Sequence, residues 1–263
     1  MFVSHLDERF RVVPAVMVGV GPVIGILEFF REFLGFEPDA VQQQVLLAHE
    51  NSVILNCARQ WGKSSLAAGV LLYEALFKPG SFSVVLSKAE AQSAELISRV
   101  KQFAVDIGVP LRRDGVRKCS LLFPNGSRIA GLPGTRAGSR GFSAVTFLLI
   151  DEAAFVPDQA YHMARPYLAM TRGRIWLLST PAGTLGFFCK EWKSESTRWR
   201  RFEVKATDCD RYDAEFLAGE LEALGEARFA QEYCCEFTGK GATLFDRDLL
   251  RRAVVKDGGR WAF

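Results

Sequence analysis

A lysine and a serine follow a short apolar run in a pattern that could bind phosphate. The segment Cys57-Ala58-Arg59-Gln60-Trp61-Gly62-Lys63-Ser64 comes after the apolar run 51–56 and opens a stretch with helical periodicity. Backbone N–H groups at the start of a helix can hold phosphate oxygens. Lys63 would then reach the outer phosphates, and the Ser64 hydroxyl would be a ligand of Mg²⁺. One position departs from the pattern G-x-x-x-x-G-K-[ST], because Cys57 replaces its first glycine.

Two carboxylates follow the apolar run 145–150, and they strengthen the interpretation of the lysine segment as a phosphate-binding site. Asp151 could hold the water shell of Mg²⁺, and Glu152 could polarise the water that attacks a terminal phosphorus. Two acids after a strand are also compatible with simple solvation, and a G-K-S sequence alone could be a coincidence. The two segments together, each at the end of an apolar strand, predict a nucleoside triphosphate site.

A third polar segment follows the apolar run 175–179. Ser179-Thr180-Pro181 is compatible with a plain turn. In a nucleotide-driven motor, hydroxyls at this point would lie beside the γ-phosphate and could sense its loss. We therefore add Ser179 and Thr180 to the predicted site as coupling residues.

The order of the elements predicts how these segments meet. Apolar runs alternate with helical stretches, and several runs are apolar on both faces, which is typical of a parallel sheet covered by helices. Asn125-Gly126 suits a tight primed turn between two strands. The predicted strands are 51–56, 83–87, 118–123, 127–132, 145–150 and 175–179, and the predicted helices are 24–34, 39–49, 63–77 and 90–105, with a polar and mainly helical region after Thr207.

Composition is that of an ordinary globular protein. The chain has 263 residues, of which 49% are hydrophobic and 24% are charged, which excludes a disordered, collagenous or simple coiled-coil chain. Six cysteines without a C-x-x-C pair and three histidines favour free thiols over a zinc site. The apolar stretch 12–30 contains two prolines and a glutamate, so a buried strand-turn-helix segment is expected there, with a membrane or partner surface as the alternative.

Several segments, in the same order along the chain, resemble the ATPase domain of the large terminase subunit, the DNA-packaging motor of tailed phages. The phosphate segment resembles that family's variant Walker A, in which the leading glycine is commonly absent. The likeness covers about residues 36–240. The other matching segments are 38–46 (adenine-binding), 83–92 (helicase-like second strand), 123–134 with Arg140-Gly141 (hairpin and arginine region), 151–156 (Walker B), 179–183 (coupling motif) and 229–237 (end of the ATPase part).

The resemblance implies a fold and a function. The expected fold is a P-loop NTPase of the ASCE type, with an N-terminal extension 1–35, an ATPase core 36–205 and a small helical subdomain 206–263 that leads towards an absent nuclease domain. The expected function is ATP hydrolysis, with Mg²⁺, that drives double-stranded DNA into a viral procapsid. No nuclease activity is expected. Two alternatives remain. One is another nucleic-acid translocase, although helicases need a second RecA-like domain, and the other is a non-hydrolysing DNA- or portal-binding module.

The same resemblance implies partners and a place of action. A homo-oligomeric ring on the capsid is expected, with a monomer in isolation left open, together with the portal ring and the small terminase subunit. No membrane is expected to take part. The protein would act in the host-cell cytoplasm and transiently on the procapsid.

Site residues follow from the residues and from the resemblance together. Arg140 is the expected arginine finger, in trans or in cis, with Arg136 second and a surface salt bridge as the alternative. Two basic patches could hold DNA phosphates without reading sequence, or could be solvated faces. The predicted residues are Glu152, Lys63, Arg140 and Arg59 for catalysis; Gln42, Cys57, Ala58, Arg59, Gln60, Trp61, Gly62, Lys63, Ser64 and Ser65 for ATP; Ser179 and Thr180 for coupling; Ser64 and Asp151 for the metal; and Arg128, Arg198, Arg200 and Arg201 for DNA.

Overall fold

The fold is built on one mixed sheet. The computed structural model of the chain describes residues 24–112, 119–136, 142–209 and 212–239. Within these ranges the sheet has seven strands, in the spatial order β3-β4-β2-β5-β6-β1-β7. The strands are β1 (Ser52–Cys57), β2 (Phe82–Ser87), β3 (Ser120–Leu122), β4 (Arg128–Pro133), β5 (Phe147–Asp151), β6 (Arg174–Ser179) and β7 (Arg200–Val204).

Strand order brings the predicted site segments to one edge of the sheet. All neighbouring strands pair in parallel except β3 and β4, which are antiparallel. β6 lies between β1 and β5, with Leu55 opposite Leu178 and Asp151 also opposite Leu178. Because parallel strands end at the same edge, the segments after β1, β5 and β6 lie next to one another.

Helices cover both faces of the sheet. Side chains alternate between the faces, so that Val53 and Leu55 join one core cluster and Ile54 joins the other. Burial of both faces explains why the central strands are continuously apolar. The helices are α1 (Ile26–Glu28, continued by a π-helical segment Phe29–Phe33), α2 (Ala40–Leu46), α3 (Lys63–Phe77), α4 (Glu90–Asp106), α5 (Asp158–Ala164), α6 (Phe187–Lys193), α7 (Ala214–Leu224) and α8 (Glu226–Tyr233).

Residues 24–34 pack tightly on α3. The Phe30 ring lies over Gly69, where an added Cβ would come within 2.4 Å of the ring, so only glycine allows this approach. Tyr73 donates a hydrogen bond to the carbonyl oxygen of Ile24 at 2.8 Å. The predicted helix 24–34 is therefore present over residues 26–33, mostly in π-helical form, and it buries Phe29 and Phe30 against the core. The predicted division at residues 35 and 205 stays a prediction.

The part of the apolar stretch 12–30 that the structure describes packs in the core. Phe29 and Phe30 are fully buried in the main core. In the described ranges no helix combines the length and the hydropathy needed to cross a bilayer. Residues 12–23 lie outside the described residues.

Two local predictions need correction. The second helix ends at Leu46 rather than near His49. The hairpin forms, but its turn is not primed, because Gly126 has a φ of 82° whereas Asn125 does not have a positive φ. The Phe123 carbonyl oxygen accepts from the Gly126 N–H, and the Phe123 N–H donates to the Ser127 carbonyl oxygen. This pair of hydrogen bonds is typical of a three-residue hairpin loop with a glycine bulge.

Strand β7 was not predicted. Its sequence is Arg-Arg-Phe-Glu-Val, and three of its five side chains are charged. Only Phe202 and Val204 are buried, which is the alternation of a strand at the edge of the sheet. The charged residues interrupt the apolar pattern by which the other strands were predicted, although β7 pairs with β1 along its whole length.

Candidate functional site

The loop between β1 and α3 presents an uncapped helix start. Gly62 is the N-cap of α3 with a φ of 99°, and no side chain in the described part of the chain caps the first turn. Gln60 also has a positive φ, 57°, which is uncommon for a residue other than glycine. The N–H groups of the first helical turn therefore remain available to an anion, as the sequence pattern predicts.

Carbonyl oxygens of the phosphate loop hold the Lys63 side chain in place. Its side chain is 6% exposed, and Nζ donates to the carbonyl oxygens of Ala58 at 3.0 Å and Cys57 at 3.4 Å. The Cys57 thiol is fully buried, and burial raises its pKa far above the ordinary value. Cys57 is therefore an uncharged packing residue beneath the loop, and Lys63 is the cation at its centre.

Gln42 connects α2 to the loop between β1 and α3. Its Nε2 donates to the Trp61 carbonyl oxygen at 3.2 Å, and its Oε1 accepts from the Asp39 N–H at 2.9 Å. Asp39 in turn caps α2 by accepting from the Gln42 N–H at 2.8 Å. Gln42 is fully buried and Trp61 is 1% exposed. The structure thus gives Gln42 a role in positioning the loop, and its predicted contact with adenine stays a prediction.

Asp151 ends β5 as a buried carboxylate. It is 7% exposed, and its Oδ1 has no hydrogen-bond partner among the described residues. Burial raises the pKa of Asp151 to about 6; the nearby charge of Glu152 adds to this effect and Lys63 opposes it. A buried carboxylate oxygen without a partner fits the predicted magnesium site, because such an oxygen can accept from a metal-bound water.

Glu152 is fixed by the turn after β5 and by β6. Its φ of 48° is positive, and the residue starts the 3-10 turn Ala153–Phe155. Ser179 Oγ donates to Glu152 Oε2 at 3.4 Å and accepts from the Ala154 N–H at 3.2 Å. The first predicted coupling residue thus touches the predicted catalytic carboxylate. Thr180, the second, lines the cleft that is described next.

One cleft brings the predicted residues together. Its volume is about 1020 Å³, and a smaller cavity of about 140 Å³ adjoins Ser64, Asp151 and Glu152. The predicted residues that line the cleft are Arg59, Gln60, Gly62, Lys63, Ser64, Ser65, Glu152 and Thr180. The lining residues that sequence analysis missed are Lys88, Gln92, Arg99, Phe155, Phe216, Glu220, Glu232 and Tyr233.

Two C-terminal helices, α7 and α8, form a wall of this cleft. Arg59 N–H donates to the Glu232 carbonyl oxygen at 3.2 Å, and Arg59 Nε lies 3.7 Å from Glu232 Oε2. Asn56 Nδ2 donates to the Cys235 carbonyl oxygen at 2.8 Å. Tyr233 donates to Glu220 at 2.7 Å, and its pKa is raised to about 12, mainly by burial and then by that bond.

The predicted DNA residues differ in how their side chains are occupied. The Arg201 guanidinium donates to five carbonyl oxygens, those of Trp192, Ser196, Trp199, Glu191 and Ser194, and to the Ser194 hydroxyl. Arg198 pairs with Glu191 at 3.1 Å, and Arg200 lies 4.0 Å from Glu50. Arg128 lies over the Phe82 ring.

These contacts give Arg201 a structural role, since no N–H group is left for a phosphate. Its contact with DNA stays a prediction, as do those of Arg128, Arg198 and Arg200. Arg140, the predicted finger, lies outside the described residues.

The comparison with protein families decides the affiliation. Residues 54–252, well over half of the chain, match the family described as terminase large subunit, T4likevirus-type, N-terminal. The chain belongs to this family. Membership confirms the resemblance seen in the sequence and, with it, the class of DNA-packaging motor ATPases.

Solved structures of terminases share the fold. The ATPase domain of the large terminase of Thermus phage P74-26 superposes with a TM-score of 0.72 at 21% identity, over 82% of this chain and all of that one. The HK97 bacteriophage large terminase gives 0.60 at 19% identity, over 76% of this chain and 48% of that one. A large terminase from a thermophilic bacteriophage, crystallised with ADP, gives 0.62 at 12% identity, over 81% and 52%.

These matches confirm the predicted fold class, a P-loop fold of the ASCE type with a mostly parallel sheet. This terminase chain spans about half the length of the HK97 protein and of the protein crystallised with ADP.

Proposed function

We propose that this terminase chain binds ATP in the cleft at the ends of β1, β5 and β6 and hydrolyses it to drive DNA packaging. One observation carries the proposal: a buried lysine, a buried carboxylate oxygen and a second carboxylate converge on one helix start, and in the described part of the chain neither that oxygen nor the helix start has a side-chain partner. The ADP complex of a protein with the same fold supports the choice of nucleotide.

Each residue has a defined task in this proposal. Ser64 and Asp151 would hold Mg²⁺, which supplies positive charge to the phosphate oxygens. Lys63 would exchange the two loop carbonyls for phosphate oxygens. Because its side chain is already buried and ordered, little conformational entropy is lost on binding. The N–H groups of the first turn of α3 would bind the same anion.

Glu152 would act on the attacking water. Its carboxylate lines the cleft, and Ser179 fixes its orientation through the Oγ–Oε2 contact. A carboxylate at this place can accept the proton of a water molecule as that water attacks the terminal phosphorus. Since Ser179 also accepts from Ala154, a movement of β6 would reach Glu152 directly, which gives the coupling motif a physical link to the reaction.

DNA and assembly partners belong to the same proposal at a coarser level. Arg198 and Arg200 are the predicted basic residues on and next to the edge strand β7 that retain exposed charge. They would contact DNA phosphates without reading sequence, so that affinity would fall steeply with salt. The portal ring, the small terminase subunit, a ring of identical subunits and an arginine finger at Arg140 are proposed on the terminase relationship alone.

The test separates binding from chemistry. Phosphate release by the wild-type protein is measured with Mg²⁺ and ATP, with and without double-stranded DNA, and compared with that by Glu152→Ala and by Glu222→Ala, which removes an exposed carboxylate from α7. Glu152→Ala should lose roughly 1000-fold or more in turnover and retain affinity for ATP. Glu222→Ala should match the wild type.

Two results would reject the proposal in different ways. A wild-type protein that binds ATP but releases no phosphate under any assembly condition would favour a non-hydrolysing DNA- or portal-binding module. Equal loss of ATP affinity and turnover in Glu152→Ala would make this residue structural.

A further inference from the structure

Arg99 lies at the phosphate end of the cleft, although nothing in its sequence context indicates a role there. It belongs to α4, and its Nη1 donates to the Ser65 hydroxyl at 2.7 Å. Ser65 is in the first turn of α3, directly after the predicted metal ligand Ser64. Arg99 lines both the large cleft and the small cavity.

The small cavity defines which part of a nucleotide Arg99 would meet. Its wall contains Ser64 and Asp151, which would hold the metal, and Glu152, which would activate water. The terminal phosphate of a bound nucleoside triphosphate must lie between the metal and the attacking water, because these two groups act on it. A guanidinium in the wall of that cavity therefore adjoins the terminal phosphate and not the base.

The charge of Arg99 is only weakly compensated in the described part of the chain. Its one ion pair there is with Glu95, at 3.9 Å, and the Glu95 side chain is 76% exposed. A pair of this kind contributes little, because water screens it. Ser65 is a neutral partner and does not neutralise the guanidinium charge. A phosphate would be a stronger acceptor, because it is negatively charged and can accept two parallel N–H bonds from arginine.

We propose that Arg99 binds the terminal phosphate of ATP from within the same subunit. The inference rests on the proposed function and adds a second cation to Lys63. On binding, the guanidinium exchanges Ser65 for phosphate oxygens, a short movement at the surface of α4. ADP lacks the group that Arg99 contacts, so Arg99 distinguishes ATP from ADP.

The experiment compares the affinities of ATPγS and ADP, each with Mg²⁺, for four proteins. These are the wild type, Arg99→Ala, Arg99→Gln and Lys101→Ala. Glutamine keeps a donor for Ser65 but removes the charge, so this variant remains informative if alanine impairs folding. Lys101→Ala removes an exposed positive charge from the same helix.

We expect the Kd for ATPγS to rise about 10- to 100-fold in both Arg99 variants, the size of a lost charge-assisted contact, and the Kd for ADP to change less than about twofold. Lys101→Ala should change neither. Equal weakening of ATPγS and ADP, or no weakening of either, would overturn the role of Arg99. If the wild type binds neither nucleotide, the proposed function itself fails, and this inference fails with it.

Discussion

Two polar regions of this terminase chain differ in how fully their hydrogen-bonding groups are satisfied. At the ends of β1 and β5, Asp151 Oδ1 has no partner in the described residues, and Lys63 bonds only to loop carbonyls. Around β7, by contrast, the five N–H groups of Arg201 donate to six acceptor atoms, and Glu191 accepts from Tyr161, Arg198 and Trp199. Both regions are rich in charge, but among the described residues Arg201 and Glu191 are occupied by partners within the protein, whereas Asp151 Oδ1 is left open to a ligand.

The difference teaches that charge in a sequence does not by itself indicate a binding surface. The cluster at residues 198–201 was predicted to bind DNA because it is basic and contains tryptophan. In the structure Arg201, the last residue of this cluster, closes the loop between α6 and β7 through main-chain carbonyls. A buried polar group without a partner is costly, and a ligand can supply the missing contact.

Lys63→Ala should have the largest effect in either region. The substitution removes the cation at the centre of the loop, so turnover should become undetectable and the Kd for ATP should rise by about 100-fold or more. The protein should remain folded, because the two carbonyls that Lys63 contacts can bind water in an open cleft. Steady-state phosphate release and equilibrium binding provide the measurement. Wild-type turnover in this variant would contradict the site.

Arg201→Ala should lower the free energy of unfolding by about 3 kcal/mol, because several carbonyl oxygens lose a charged donor together. Arg201→Lys should recover little, since an ammonium group cannot reproduce the planar fork. Arg198→Ala, whose partner Glu191 keeps two other donors, is the milder comparison. Chemical denaturation measures all three. A fully stable Arg201→Ala with a reduced salt dependence of DNA binding would restore the DNA role.

Asp151→Asn should stabilise the protein in the absence of metal. The folded carboxyl group has a pKa of about 6 against an ordinary value of 3.8, so the folded state binds this proton more tightly than the unfolded state does. Ionised Asp151 therefore destabilises the fold above about pH 6, and this cost disappears as the pH falls towards 4.

In EDTA at pH 7.5 the Asn variant should be more stable by about 2 kcal/mol, and the gain should vanish near pH 4. Denaturation at several pH values checks this. A variant that is less stable at pH 7.5 would show that the carboxylate is satisfied in the folded protein.

Ser179→Ala should have the smallest effect. It removes the hydroxyl that orients Glu152 but leaves the carboxylate itself, so kcat should fall about 10-fold while the Kd for ATP stays within about twofold. Ser179→Thr keeps the hydroxyl and should recover most of the rate. A loss as large as that of Glu152→Ala would mean that Ser179 contacts the reacting groups itself.

The sequence predicts the site better than the surroundings that complete it. Asp151 and Ser179 each end an apolar strand, and Lys63 opens the helix that follows a third one. The rule that parallel strands end together suffices to place them near one another. Glu232 and Tyr233 reach the same cleft only because α7 and α8 fold back over the loop, about 170 residues later in the chain. No local pattern contains that information.

Other parts of the fold escape sequence patterns for related reasons. Strand β7 is hidden because its outward residues are charged, and the contact between Arg99 and Ser65 depends on how α3 and α4 pack. The role of Gln42 also depends on packing, since α2 places it under the loop. Periodicity predicts elements, whereas contacts between elements follow from their arrangement.

The most direct test of this account follows the unfolding temperature of the protein as ATPγS is added with Mg²⁺. A ligand that binds only the folded state raises the Tm in proportion to the logarithm of its concentration once the site is saturated. The account predicts this rise for the wild type and for Arg198→Ala, and its loss in Lys63→Ala. No rise in the wild type, or an equal rise in Lys63→Ala, would contradict the claim that the polar groups at the ends of β1 and β5 form the nucleotide site.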